Sequence, residues 1–183
     1  TGAIAKVLYP NADVQIKGFE DYNVSDDFFD LVTSNFPFGN YKVADNRYPA
    51  RLREQIHDYF FVRSLDKVRP CGLILGITST GTMDKPDNSV RQHLANRADL
   101  VAAISLPGNT FLKEAGTAVG TDIIILRKRS PDDSKELKAN LGDNQWMKVE
   151  TIPDPLGGED IPINEYYVEH PEMVIGVTDR SGT

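Results

Sequence analysis

Apolar residues recur along this chain in two rhythms. The first is the short unbroken run. Phe28-Phe29-Asp30-Leu31-Val32-Thr33-Ser34, Leu73-Ile74-Leu75-Gly76-Ile77-Thr78, Leu100 to Leu106 and Asp122-Ile123-Ile124-Ile125-Leu126-Arg127 are of this kind. Each reads as a strand buried on both faces, because a half-exposed strand alternates instead. The second rhythm is helical. Between Arg47 and Val68, Leu52, Ile56, Tyr59, Phe60, Val62 and Leu65 recur at three- and four-residue spacing, and Pro70-Cys71-Gly72 is expected to stop the helix. A second helix is expected from Asn88 to Ala98. Near the start, Ile4, Ala5, Val7 and Leu8 suit the end of an amphipathic helix stopped by Pro10-Asn11, and Val14-Gln15-Ile16 reads as a short strand bounded by Asp13 and Gly18.

Strands thus alternate with helices of crossover length, the pattern of an α/β fold with a mainly parallel sheet. The strands near 101–106 and 121–127 are joined by a Gly- and Thr-rich loop, Pro107 to Thr121, without a long helix. That suits an antiparallel pair at one sheet edge. After Ser130 the composition changes: Pro131, Pro153, Pro155, Pro162, Pro171 and the Gly157-Gly158 pair break up any long pattern. The expected organisation is a domain over 1–129 and a loop-rich C-terminal extension over 130–183.

Hydrophobic residues are 40% and charged residues 26% of the 183, ordinary values for a globular domain. No apolar run reaches the ~18 residues a membrane span needs. The opening Thr1-Gly2-Ala3-Ile4-Ala5-Lys6 lacks the basic start and apolar stretch of a signal peptide. The single cysteine, Cys71, excludes an internal disulfide and suits a reducing, cytoplasmic setting. Its neighbours Pro70 and Gly72, with the apolar run behind them, lead us to expect a buried structural thiol. A net charge of −7 is wrong for a free-standing nucleic-acid binder, so contact with DNA would have to come from a local surface or a larger protein. The chain has no initiating Met and opens inside a helical pattern, so we expect it to be part of a longer protein.

One stretch carries chemistry. Asp30-Leu31-Val32-Thr33-Ser34-Asn35-Phe36-Pro37-Phe38-Gly39 puts an Asn-x-Pro-Phe turn at the carboxyl end of a strand, the edge where open α/β sheets bind ligands. An exocyclic amine is a poor nucleophile because its lone pair is delocalised into the ring. A side-chain amide oxygen and a backbone carbonyl stiffened by the following proline can both accept from such an NH2 and hold its nitrogen in line with a methyl donor. Asn35 would be the amide acceptor, the carbonyl between Phe36 and Pro37 the second, and Phe38 a ring to stack on the base. Taken alone, the four residues read better as a plain loop, with Asn35 capping a turn and Phe36 and Phe38 filling core; the position after an Asp-bearing apolar strand in an α/β chain favours the site.

Phe29-Asp30-Leu31-Val32-x-x-Asn35-x-Pro37-Phe38 resembles the catalytic motif of adenine-N6 DNA methyltransferases. Further stretches resemble the large, helicase-associated methylases of bacterial mobile elements and restriction-modification systems. These are Ile56-His57-Asp58-Tyr59-Phe60-Phe61, the strand 73–79, Gly81-Thr82-Met83-Asp84, Leu106-Pro107, Ala115-Gly116-Thr117, Thr121 to Leu126, Ile163-Asn164-Glu165-Tyr166-Tyr167 and His170-Pro171-Glu172-Met173. The resemblance implies a class I methyltransferase-like, Rossmann-like sheet, incomplete on its N-terminal side, and S-adenosylmethionine as cofactor. It implies DNA as substrate through the parent protein, with helicase or other domains in the same polypeptide, and methyl transfer to adenine N6. It makes Asn35, Phe36, Pro37 and Phe38 catalytic, and places Phe19 or Glu20, in the turn Gly18-Phe19-Glu20-Asp21, along the cofactor adenine; an acidic surface turn explains those two residues equally well. The chain departs from the family in having Phe36 where Pro is usual, Cys71-Gly72 for Gly-Gly, and Ser105-Leu106-Pro107 for Arg-Leu-Pro. It also has no Gly-rich turn before the catalytic strand. That main cofactor loop being absent, the 183 residues alone are expected to be inactive. Alternatives are methylation of cytosine N4 or a protein glutamine, and a non-catalytic interaction module of the same fold.

The remaining candidates read as structural. His57, His93 and His170 lack metal-ligand spacing, so no metal is expected. Ser79-Thr80-Gly81-Thr82 lacks the lysine of a phosphate loop. Lys85, Arg91 and Arg97 form either a small basic face toward DNA or a solvated helix face.

Overall fold

A computed structural model describes residues 1–39, 41–111, 120–133, 146–154 and 157–176. Ala115-Gly116-Thr117 and much of the stretch after Ser130 lie outside these described residues. The main sheet has strands β1 (Phe29–Asn35), β2 (Val68–Ser79), β3 (Ala98–Leu106) and β4 (Thr121–Lys128), in the order β1-β2-β4-β3. β1 and β2 are parallel, and β4 runs antiparallel to both of its neighbours. Three strands therefore point one way and β4 returns between two of them. This is the expected α/β architecture, with β3 and β4 as an antiparallel pair at one edge.

Helix α1 (Gly2–Leu8) forms as expected but buries none of its residues. α2 (Ile56–Lys67) crosses from β1 to β2, and the one-turn α3 (Gly81–Asp84) and α4 (Ser89–Ala95) lead from β2 to β3. Phe61, Val62 and Leu65 of α2 and Val90 and Leu94 of α4 pack with Ile74, Ala103, Ile124 and Leu126 of the sheet into one core. The basic end of β4 closes both helices. Lys128 donates to the carbonyls of Leu65 and Val68 at the end of α2, and Arg129 donates to the carbonyl of Ala95 at the end of α4. Cations there satisfy orphan carbonyls and oppose the helix dipole.

The structure corrects several expectations. α2 begins nine residues after Arg47, not at it. Tyr48 precedes Pro49 and is pushed out of helical backbone. Asp45 takes the Arg47 amide at 3.1 Å, and only a 3₁₀ turn, Ala50–Leu52, forms between. Val14-Gln15-Ile16 is not a strand: the Val14 amide bonds back to Ala12, Ile16 is 61% exposed, and no strand among the described residues lies alongside. β1 is not buried on both faces. Only β2 pairs with it among the described residues, and the register partners Leu31 and Leu73 are both exposed. Cys71 is exposed, not buried. Between the pairs Phe29↔Val68 and Leu31↔Leu73 the ladder bulges, and Cys71 sits in that bulge at φ 62° with its thiol turned outward.

The stretch after Ser130 holds more regular structure than its prolines suggest. β5 (Val149–Ile152) and β6 (Ile161–Asn164) form a hairpin, followed by α5 (Glu165–Glu169). The strands are four residues long, too short for a readable period. Trp146, Ile163, Tyr166 and Tyr167 enter the same core as the sheet. Asn164 is fully buried and ties the pieces together. Its side chain caps α5 through the Tyr166 amide and donates to the carbonyls of Met83 and Trp146, and its own amide bonds to Asp84.

Asp122 lies at the start of β4, opposite Thr78 on β2 and Ser105 on β3. Burial pushes its carboxyl up to about 7, and the hydroxyls of Ser105 and Tyr167 counteract this only in part. The folded value thus stands above the ordinary 3.8, and ionisation between the two costs the folded state alone. Stability from this group is fully present at low pH and falls as pH rises from about 4 to about 7, by at most about 1.4 kcal/mol per unit. Urea denaturation should show Asp122→Asn gaining on the parent chain across that window; parallel curves would refute the buried acid.

Candidate functional site

The Asn-x-Pro-Phe turn leaves the carboxyl end of β1, as its residues predict. Asn35 pairs with Ile77 of β2, and the Phe36 amide donates to the Ile77 carbonyl at 2.9 Å. Asn35 is exposed, whereas Phe36 is 2% exposed. The Phe36 ring stands edge-on to Phe61 at 4.6 Å and tilts against Phe60 at 5.6 Å. It is a core anchor, so what it offers the site is its carbonyl, stiffened by the half-buried Pro37. Phe38 is 36% exposed beyond it, available to stack.

Gly76 of β2 makes room for that anchor. A Cβ there would lie 2.6 Å from the Phe36 ring and 2.8 Å from Phe61. A side chain at 76 would displace Phe36 and with it the backbone that presents Asn35.

Beside the turn lies an open cavity of about 600 Å³. Segment 13–22 forms one wall through Gln15, Lys17, Phe19 and Tyr22; Thr33, Ser34 and Phe36 form the second; Phe60 and Ser64 of α2 form the floor. The volume is within the range of small-molecule sites. The aromatic rings offer faces to a flat heterocycle, and the hydroxyls and amide offer partners to a sugar. Phe19 is thus brought to the cavity that Phe36 also lines. Glu20 lines no part of it; its carboxylate folds over Gly18 and its carbonyl accepts from Arg47 and Arg63.

Two residues that the sequence reading passed over organise these walls. Arg63 of α2, 1% exposed, donates to the carbonyls of Phe19 at 2.7 Å, Tyr22 at 2.9 Å and Glu20 at 3.3 Å. Asp45 accepts from Tyr59 at 2.8 Å and from Arg47 at 2.7 Å. Burial raises the Asp45 carboxyl, but the bonds from Arg47 and Tyr59 outweigh it and bring the group down to about 2. A usable signal existed in each case, a charge among apolar helical neighbours for Arg63 and an Asx turn before a proline for Asp45.

Other candidates are accounted for internally. His57 is buried, its Nε2 3.4 Å from the Ser79 hydroxyl, and burial, helped by Lys85 and opposed by Asp58, holds it below the usual histidine value. Thr82 of the Ser79–Thr82 run is buried and bonds to Thr78 and Asp58. Lys85, Arg91 and Arg97 form neither a basic face nor a solvated helix face. Lys85 is paired with Asp58, Arg97 with Asp66, and Arg91 is buried against the carbonyls of Thr82 and Lys85. Burying Asp58 and Arg91 inside the domain consumes the very cations that the sequence offered to solvent.

No family model and no curated protein sequence matches the chain. Solved structures resemble parts of it. One, assigned as a class I S-adenosylmethionine-dependent methyltransferase from Listeria monocytogenes, aligns with 61% of this chain and 35% of its own, at 20% identity and a TM-score of 0.46. The M protein of the type I restriction enzyme EcoKI aligns with 57% of this chain and 22% of its own, at 16% identity and a TM-score of 0.46. A protein of Vibrio vulnificus YJ016, assigned as the modification subunit of a type I restriction enzyme, aligns with 75% of this chain and 37% of its own, at 15% identity and a TM-score of 0.46. The chain spans between about a fifth and two fifths of these proteins.

Gly76→Ala tests the coupling of core and turn. Overpacking against Phe36 and Phe61 should cost about 1–3 kcal/mol in urea denaturation. An unchanged midpoint would show that Phe36 yields freely and does not anchor the turn.

Proposed function

We propose that this chain carries the amine-binding and adenosine-binding parts of an S-adenosylmethionine-dependent methyltransferase acting on adenine N6 in DNA. The observation that supports it most is the Asn35 turn. An exposed amide and a proline-stiffened carbonyl leave the carboxyl end of a strand, beside a cavity walled by Phe19, Tyr22 and Phe36.

The residues fit the adenosine end of the cofactor. Phe19, Phe36 and Phe60 give it aromatic surface, and Thr33, Ser34 and Gln15 give it hydrogen-bonding groups. When bound, the cofactor supplies an electrophilic methyl group on a sulfonium. The chain's own residues handle the amine. The Asn35 Oδ1 and the Phe36 carbonyl accept its two N–H groups and draw its lone pair out of the ring toward the methyl carbon. These two acceptors would hold both amine protons, one of which would pass on to solvent water once the nitrogen has gained its methyl group. Phe38 stacks on the base, which must leave the duplex to reach the edge. A glycine-rich turn for the methionine end is not in this sequence. We therefore expect transfer only in a polypeptide that also supplies that turn, with DNA contacts from its other parts.

Two measurements test this reading. S-adenosylhomocysteine titrated calorimetrically into a polypeptide that includes this chain should bind, and Asn35→Ala should leave that affinity within a few-fold. Methyl transfer to adenine in duplex DNA by the same polypeptide should drop roughly 100-fold or more with Asn35→Ala. Activity within a few-fold of the parent would remove Asn35 from the chemistry. Absence of binding would favour a non-catalytic interaction module.

A further inference from the structure

Arg63 does more than fill a position on α2. Its Nε and Nη2 bond to the carbonyls of Phe19, Glu20 and Tyr22, its Nη1 lies 3.7 Å from Asp45 Oδ2, and its guanidinium carbon sits 5.2 Å from the centre of the Phe19 ring. Asp45 also accepts from Tyr59, one turn earlier on α2, and from Arg47, which reaches on to the Glu20 carbonyl at 2.5 Å. One buried guanidinium thus joins two loops far apart in sequence. The first is the turn bearing Phe19, a wall of the cavity. The second is the loop over 43–48, which follows the Asn35 turn. Only a planar fork with several donors can serve three carbonyls and a carboxylate at once; a lysine at 63 would keep the charge and lose the geometry. A buried charge is a poor way to gain stability, since its desolvation offsets most of the attraction. The precision of placement is what it adds.

We propose that Arg63 is a positioning residue for the site, setting the Phe19 wall of the cavity and, through Asp45, keeping that wall in register with the loop that follows the Asn35 turn. This rests on reading the cavity as the adenosine pocket.

The test uses the whole chain, and a polypeptide that joins it to a glycine-rich cofactor turn, with Arg63→Lys, Arg63→Met and Asp45→Asn. Three quantities are measured: the dissociation constant for S-adenosylhomocysteine by calorimetry, amide hydrogen exchange at 18–22 and 43–48, and the folded fraction by urea denaturation. Arg63→Lys should weaken binding about tenfold or more, the scale of a small misplacement of a site wall. Exchange should rise in both loops together while β2 and β4 stay protected. Asp45→Asn should raise exchange in the same two loops, which carries the test if Arg63→Met fails to fold. Unchanged affinity in folded Arg63→Lys would overturn the proposal, as would exchange rising in one loop alone or throughout the sheet. If the parent polypeptide itself binds no S-adenosylhomocysteine, the adenosine reading falls. Exchange then decides the proposal: a joint rise sustains Arg63 as the residue that registers the two loops, and a rise in one loop ends it.

Discussion

Helix α2 buries ten of its twelve residues, and Asp58, Arg63 and Lys67 are among them. Charges removed from water must be met by partners, and removing one partner of a buried pair costs about 3–5 kcal/mol. Each of the three therefore dictates where a loop must lie. Asp58 draws in Lys85 and Thr82 and fixes the chain after β2. Arg63 fixes the Phe19 turn. Lys67, through the Val24 carbonyl and Asp26, fixes the approach to β1. The helix acts as a spine on which the irregular parts of the domain are hung, and the Phe19 wall of the candidate site is one of those parts.

The sheet obeys a complementary rule. β4 returns between β2 and β3, so its last residues arrive beside the ends of both covering helices. Lys128 and Arg129 are placed by topology to neutralise those ends. At the other end of the same strand, Asp122 meets Thr78 and Ser105 in register, next to Tyr167 of α5. The strand carries cations to one pole and a buried acid, its carboxyl pushed up to about 7, to the other.

Much of this was legible in the residues. The unbroken runs located all four strands of the main sheet, and the lack of a long helix between the last two marked them as an antiparallel pair. The Asn35 turn fell at the carboxyl end of its strand, as its residues predicted. What escaped notice was non-local. Unbroken apolar runs imply burial on both faces, yet β1 has a neighbour on one side only among the described residues, and a run cannot count neighbours. Lys85, Arg91 and Arg97 looked like surface charge because the anions and carbonyls that receive them lie elsewhere in the chain. The hairpin of β5 and β6 was hidden by strands of four residues, one of them containing Pro162.

The bulge at the start of β2 turns the single thiol of the chain outward, at the opposite end of that strand from Ser79 and the candidate site. Chemistry aimed at a thiol therefore has one address in this sequence, at the far end of β2 from the residues of interest. A fluorophore or spin label attached there would report on tumbling, assembly and large movements without intruding on the cavity. The domain comes with its own attachment point for a spectroscopic observer, supplied by a kink in the backbone.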